Sequence, residues 1–399
     1  MTDNKKGYKK TKLGWIPEDW EIVNLKNIAK VGDIDHYMPV SKKEGIPYVM
    51  TGNFIGYNDI DYKNSKKISI EDYLNLSEKI KPEYNDILIA RYASIGTVRL
   101  VKRKEPFLIS YSCAIIKPKK LVNSCYLFNW LQSNLFKSFL NLEINSNTQK
   151  NIGISSLNNS LVIFPQKLQE QEKIAEILST WDEGIEILEK LIEQKELSKK
   201  SIIQKLFQEK VSWKLIRFDK IFKDFCQKNC PNEILLSATQ ENGVIPRDML
   251  NGKVMSPEGS LENYKLIEEG DFVISLRSFQ GGLEYSKYRG ILSPAYTVLK
   301  NIIDIDKDFY RYFFKSYKFI EKYLSISVIG IRDGKQISYS DLSSVKIPYP
   351  PLNEQEKIGK ILNCYDEEIR LLNIKLEKLK QQKKGLMQKL LTGQIRVKI

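Results

Sequence analysis

A chain of 399 residues, 42% of them hydrophobic, is long enough for two or three domains with cores of their own, yet no run of residues is apolar enough to span a membrane. Lys and Arg number 63 against 49 Asp and Glu, and the net charge of +14 points to a polyanionic partner, nucleic acid ahead of an anionic membrane surface. Five unevenly spaced cysteines argue against a disulfide framework, and the opening MTDNKKGYKKTK is too polar for a signal peptide, so a reducing, cytoplasmic setting is expected.

In chain order, the first anchor is Trp20-Glu-Ile-Val-Asn-Leu25. Asn85-Asp-Ile-Leu-Ile89 reads as a turn feeding a buried strand, and Leu108-Ile-Ser110 is a further anchor. Ile152, Leu157 and Pro165 lead into residues 170–188, EQEKIAEILSTWDEGIEIL. The same series then returns. Trp213–Phe218 answers Trp20–Leu25, Gly270-Asp-Phe-Val-Ile274 answers the turn and strand, and Ile291-Leu-Ser293 answers Leu108–Ser110. Ile337, Leu342 and Pro350 follow at a constant offset of 185. Residues 354–372, EQEKIGKILNCYDEEIRLL, close the second copy, matching the first at 11 of 19 positions. Residues 172–209 align with 356–393 without gaps.

Both copies of this phrase carry heptad tracks. Ile174, Trp181, Leu188 and Ile202 lie on one track and Leu178, Ile185, Ile192 and Leu206 on the other. The second copy has Ile358, Tyr365, Leu372, Leu379 and Leu386, with Leu362, Ile369, Leu376 and Leu390. Such spacing predicts two long coiled-coil helices. Lys195, Lys199 and Lys383 interrupt the seam. Asn353 with Glu356 fits a capping box, and Gly393 can close the second helix. Since a lone helix cannot bury its own seam, the simplest closure packs the two antiparallel about a pseudo-twofold axis.

The expected fold is therefore mixed α/β: two α/β globules joined by two long antiparallel coiled-coil helices, an internal repeat. The expected boundaries are a globule over 1–165, a helix over 166–210, a second globule over 211–350 and a second helix over 351–399.

Catalytic signatures are missing from the sequence. The one histidine, His36, lies in a polar loop and supports neither a Ser-His-Asp arrangement nor a histidine metal cluster. Cys226-x3-Cys230 has no second pair to complete a zinc site. No Gly-Lys pair has the glycine five residues earlier that a phosphate-binding P-loop needs, and no Gly-x-Gly occurs. The Pro-Pro of Tyr349-Pro-Pro-Leu352 is not the amino-methyltransferase signature. Two nuclease-like sets exist. Asp182, Glu193 and Lys195 lie on the predicted coiled coil, and Lys195 becomes Leu379 in the second copy. Glu321, Asp333 and Lys335 are replaced at Asp333 by Thr148 of the first copy's Thr148-Gln149-Lys150.

The repeated framework resembles the specificity (S) subunits of type I restriction–modification systems over nearly the whole chain. The resemblance is carried by Tyr8-Lys-Lys-Thr-Lys-Leu-Gly-Trp-Ile-Pro-Glu-Asp-Trp20, by the strand and turn anchors, and by the Glu-Gln-Glu-Lys-Ile openings of both helices. Thr148-Gln-Lys-Asn-Ile152 and Leu236-Ser-Ala-Thr-Gln240 add to it. It implies two target-recognition domains, each reading one half of a bipartite, asymmetric site on double-stranded DNA. The helices would act as spacer and docking platform for two modification (methyltransferase) subunits, with restriction subunits supplying translocase and nuclease, in a system of DNA methylation and phage defence. This chain itself would be non-catalytic and hold no cofactor or metal; S-adenosylmethionine, ATP and Mg2+ would belong to the partners. The alternatives are the specificity subunit of a related fused restriction–modification system and a metal-dependent nuclease using Glu321, Asp333 and Lys335.

DNA recognition needs cations for phosphates and polar side chains that reach base edges. In the first globule the candidate residues are Lys42, Lys43, Asn53, Arg91, Tyr92, Asn147, Gln149 and Lys150. In the second they are Gln240, Asn242, Arg247, Arg277, Ser278, Gln280, Arg332 and Lys335. Lys375, Lys378 and Lys380 on the second helix read as a solvated face or as phosphate contacts.

Overall fold

A computed structural model describes residues 6–146, 150–208, 212–250, 261–275, 278–324 and 337–399. The chain divides into two compact units. One comprises Met1–Lys190 with Ile374–Ile399, the other Leu191–Asn373. Two long helices, Leu168–Leu206 and Leu352–Leu391, each contribute a segment to both units.

In the first unit a four-stranded antiparallel sheet runs in the order Val98–Leu100, Ile87–Ala90, Cys113–Pro118, Ala29–Gly32. All four residues of Ile87–Ala90 are buried, because apolar clusters cover both faces of the sheet. Ile87, Ile89, Ala114 and Ile116 face the helical side, whereas Leu88, Cys113 and Ile115 face a second sheet built on Ile46–Val49. This is the two-residue period of a strand read on both sides. Asn85, at φ 69°, makes the left-handed turn that feeds the central strand, a conformation asparagine tolerates. The strand Trp20–Asn24 pairs antiparallel with Leu161–Pro165 and so ties the start of the globule to its end.

The second unit repeats the plan. Its sheet runs Phe222–Phe225, Thr297–Asn301, Phe272–Ile274, Glu284–Tyr285, and Lys214–Arg217 pairs with Lys346–Tyr349. Phe272, Ile274 and Leu299 face an aromatic-rich core with Phe218, Phe222, Phe309, Phe313 and Phe314. Val273 and Val298 face the other side. The fold class read from the repeat is the one observed.

The helices dock on each globule through the same device. Gln171, fully buried, accepts a hydrogen bond from the Asn123 N–H at 2.8 Å and donates to the carbonyls of Pro165 (2.8 Å) and Leu121 (3.1 Å). Gln355, also fully buried, accepts from the Asp306 N–H at 3.0 Å and donates to the Pro350 carbonyl at 2.9 Å. One amide thus satisfies backbone groups that a buried junction would otherwise orphan.

Along the seam the helices run antiparallel. In the first unit Asp182 pairs with Lys383, and Glu189 with Lys380 at 2.9 Å. In the second, Lys195 meets Glu368 at 2.7 Å and Lys199 meets Asp366. The three lysines that break the heptad pattern are therefore paired across the seam, and Lys383 is only 2% exposed. Apolar closure comes from Ile174, Leu178 and Ile185 in one unit and Ile358 and Leu362 in the other. The expected capping box does not open the second helix. It begins at Leu352, with Asn353 already inside, and the Pro351 carbonyl accepts from Glu354 and Gln355. Gly393, at φ 68°, follows the helix end, and a Cβ there would lie 2.4 Å from the Pro17 ring, so glycine is required twice over.

Candidate nucleic-acid interface

The first unit gathers recognition candidates around the loop Arg91–Gly96. Its backbone is pinned at both ends, the Arg91 N–H donating to Ser112 and the Gly96 N–H to Ala90, and Ala93 sits at φ 54°. A non-glycine residue held there marks a loop whose shape is imposed by its surroundings. Arg91, 7% exposed, forms an ion pair with Asp33 and donates through Nε to the Ile152 carbonyl at 2.9 Å. Its guanidinium lies 5.7 Å from the Tyr92 ring centroid. Tyr92 meets Tyr111 edge-on at 6.4 Å, and Tyr111 stacks on His36 at 4.3 Å. The Ile152 N–H returns to the Arg91 carbonyl, which brings the segment of exposed Lys150 beside this loop. Lys42 and Lys43 are exposed, and a backbone bridge from Lys42 to Lys67 holds their segment. Asn53 turns inward and accepts from the Met50 N–H at 2.9 Å. Asn147 and Gln149 lie outside the described residues.

The aromatic pair His36–Tyr111 is what sequence reading passes over. Tyr111 follows the Leu108-Ile-Ser110 anchor that the repeat marks, but its ring partner is 75 positions away and no local pattern joins them.

In the second unit Lys315 organises the corresponding loops. Its ammonium donates to the carbonyls of Gly281 (3.0 Å) and Gln240 (3.2 Å) and to Glu284 Oε1 at 2.6 Å. Glu284 is 1% exposed, and burial raises its carboxyl pKa against the opposing pull of Lys315. The turn bearing Gln240 and Asn242 and the short helix Ser278–Gly281 bearing Gln280 are thereby fastened together. Gln240, Asn242 and Gln280 are exposed. Ser278 is buried, its hydroxyl accepting from the Ser275 N–H at 2.8 Å, and Arg247 donates to the Ser237 hydroxyl at 3.2 Å. Gly282, at φ 75°, is irreplaceable here: a Cβ would lie 1.8 Å from the Phe314 carbonyl oxygen. Arg277, Arg332 and Lys335 lie outside the described residues, as does Asp333 of the nuclease-like set, whose Glu321 is exposed on the short π-helix Phe319–Leu324. Among the described residues no group of three His, Cys, Asp or Glu could hold a metal ion, and no helix is long and apolar enough to cross a membrane.

Two copies of one α/β scaffold, each with a framework shared and its loops filled differently, define a duplicated recognition protein. The family model "Type I restriction modification DNA specificity domain" matches residues 17–197 and again 219–381, and the chain belongs to that family as a type I restriction–modification specificity subunit. It is 29% identical to the putative type I restriction enzyme MjaX specificity subunit of Methanocaldococcus jannaschii, over 99% of this chain and 98% of that one. It is 28% identical to the MjaVIII specificity subunit of the same organism, over 96% and 94%. In fold it is similar to the type I S subunit from M. genitalium, with a TM-score of 0.55, 18% identity and coverage of 93% and 96%. A chain from a study of type I complex assembly and conformational transition gives a TM-score of 0.58 at 14% identity, covering 95% and 99%.

Proposed function

We propose that the chain reads a bipartite, asymmetric site on double-stranded DNA, one half-site per unit. The paired helices hold two modification subunits, with restriction subunits completing the assembly. The observation that carries this reading is the repeat itself: Gln171 and Gln355 each accept from a backbone N–H and donate to the carbonyl of the proline before their helix, while the loops at Arg91–Gly96 and Ser278–Gly281 differ in every recognition residue. A shared frame with different filling suits two half-sites of different sequence. Methyl transfer, translocation and cleavage, with S-adenosylmethionine, ATP and Mg2+, belong to the partners.

Lys42, Lys43 and Lys150 are exposed cations suited to phosphates. Gln240, Asn242 and Gln280 are exposed amides suited to base edges, and Tyr92 offers a ring and a hydroxyl. Arg91, Asn53, Arg247 and Ser278 shape the loops from within. Asn147, Gln149, Arg277, Arg332 and Lys335 complete the proposed surface. The proposed division of the chain remains recognition domains at 1–165 and 211–350 with spacer helices at 166–210 and 351–399.

The test is a methylation map of DNA from cells carrying this gene and its methyltransferase partner. Replacing residues 85–150 by the matching segment of another family member should change one half of the methylated site. A change in both halves overturns the assignment of one half-site to each unit.

A further inference from the structure

One corner of the globule is filled differently in the two units. In the second, Lys315 and Glu284 close it with an ion pair. In the first, strand register puts Arg99, opposite Leu88, where Glu284 stands opposite Val273. Gln132 takes the place of Lys315, since the Ser133 that follows it caps Phe136 as Ser316 caps Phe319. The ion pair has become an arginine and an amide; Glu284 has no counterpart there, and the acid that acts on Arg99 is Asp59.

That corner is open. Two cavities of about 220 and 390 Å3 adjoin it, both lined by Gln132 and Lys137. The smaller also takes in Tyr57, between the paired strands Phe54–Ile55 and Asp59–Ile60, and Lys380, Lys383 and Lys384 of the second helix, and the larger takes in Arg99. Neither lining contains an Asp or a Glu. Lys380 and Lys383 are matched by Glu189 and Asp182. Lys137 and Lys384 have no acidic partner among the described residues. Arg99, 6% exposed, donates only to backbone carbonyls, those of Ile55, Gly56, Asp59 and Val98. Lys137 and Lys384, exposed and unmatched on a concave wall, focus positive potential into the space beside them. A lysine ammonium is a compact charge suited to a phosphate oxygen.

We propose that these adjoining cavities of the first unit form a binding site for a phosphate group, supplied either by the backbone of duplex DNA or by a free nucleotide. In the second unit Lys315 is neutralised by Glu284 in the same corner, so the site is assigned to the first unit.

The experiment uses the full-length chain, with inorganic pyrophosphate and a short random-sequence duplex as probes. Lys137→Gln with Lys384→Gln is the test variant. Lys190→Gln, exposed on the first long helix and outside both linings, is the control. Wild type and control should bind pyrophosphate saturably, and the double variant should lose that binding. If duplex phosphate is the natural occupant, pyrophosphate competes with the duplex, and the double variant flattens the dependence of log K on log salt by about 0.9 for each lysine removed. If a free nucleotide is the occupant, the double variant loses pyrophosphate alone. Equal behaviour of double variant and control with both probes overturns the site, as does a wild type that binds no pyrophosphate. Since the methylated sequence is a separate readout, the site can fail while the two-half-site reading stands.

Discussion

Lys383 on the second long helix is ion-paired with Asp182 on the first, and the pair recurs as Lys199 with Asp366. Both partners are displaced by the same 184 positions, so the duplicated helix meets its copy antiparallel through one conserved contact made twice. The two copies differ in surroundings. Tyr57 joins the first, whose Lys383 side chain is 3% exposed. Tyr312 and Arg311 join the second at the half-buried Asp366.

Removing Lys383 alone strands a carboxylate in the first unit. Lys383→Met is expected to cost about 3–5 kcal/mol, because an unpaired buried charge is worse than no charge. Adding Asp182→Leu should recover most of that loss, since the two apolar chains can pack against each other. Denaturant midpoints of the single and double variants decide it. Equal losses would mean that the two residues do not act as a pair.

The two aspartates are expected to titrate in opposite senses. Burial raises the Asp182 pKa above its ordinary 3.8, even against Lys383. Burial also opposes Asp366, but hydrogen bonds from Lys199 and Tyr312 and the Arg311 charge outweigh it and lower that pKa. Asp366 therefore stabilises the fold above pH 3.8, and its contribution is lost as pH falls through its depressed folded value. Asp182 has the other sign: on acidification the folded state takes up its proton before the unfolded chain does, and stability from this group rises. Carboxyl carbon shifts followed by NMR between neutrality and pH 3 should show Asp182 protonating first. The reverse order refutes the difference in environment.

The seam can be tested without charge. Leu178 is fully buried and Ile187, nine residues on, is 67% exposed. Leu178→Ala should lose about 2–5 kcal/mol, whereas Ile187→Ala should stay within about 0.5 kcal/mol. Comparable losses at both positions would place the buried face of the helix elsewhere.

Why the helices are legible in the sequence while the recognition surface is not follows from range. Heptad spacing is internal to each helix, and the repeat supplies the same signal twice. Buried strands such as Ile87–Ala90 announce themselves as apolar runs behind a turn. Lys383, by contrast, reads as a flaw in the seam, because the partners that allow its burial, Asp182 and Tyr57, lie 201 and 326 positions away. Arg91 reads as an exposed arginine on a loop, yet Asp33, 58 residues earlier, turns it inward. The clamp of Lys315 joins three segments separated by 31 to 75 residues, and nothing local to any of them marks it.

Lys42 and Lys43 separate electrostatics from readout. Both are exposed, on a segment held by the bridge to Lys67, so their replacement leaves the loop in place. Neutralising the two together should weaken binding to every DNA sequence alike and reduce the salt slope by about 0.9 for each phosphate no longer neutralised. Salt titrations on cognate and random duplexes measure both quantities. A weakening confined to cognate DNA would reassign these lysines from phosphates to base edges.

Gln280 is the position at which readout by a single base is expected. It is exposed on the short helix Ser278–Gly281, whose carbonyl end is fixed by Lys315 and whose start is fixed by the Ser275–Ser278 hydrogen bond. The residue after that helix, Gly282, cannot carry a side chain, so the backbone is held close to Phe314 and the segment cannot swing. A side-chain amide on so constrained a backbone can present donor and acceptor together, the pattern that pairs with adenine N6 and N7. Gln280→Ala should then cost about 1–3 kcal/mol on cognate DNA and relax one base pair of the half-site read by the second unit, leaving the salt slope unchanged. Lys315→Met should blur the same base pair without touching the other half-site, because it frees the loop that aims the amide. Competition binding across every single-base variant of the site tests both substitutions. A uniform loss on all variants would make Gln280 a positioning contact to the backbone and refute its role in reading the base.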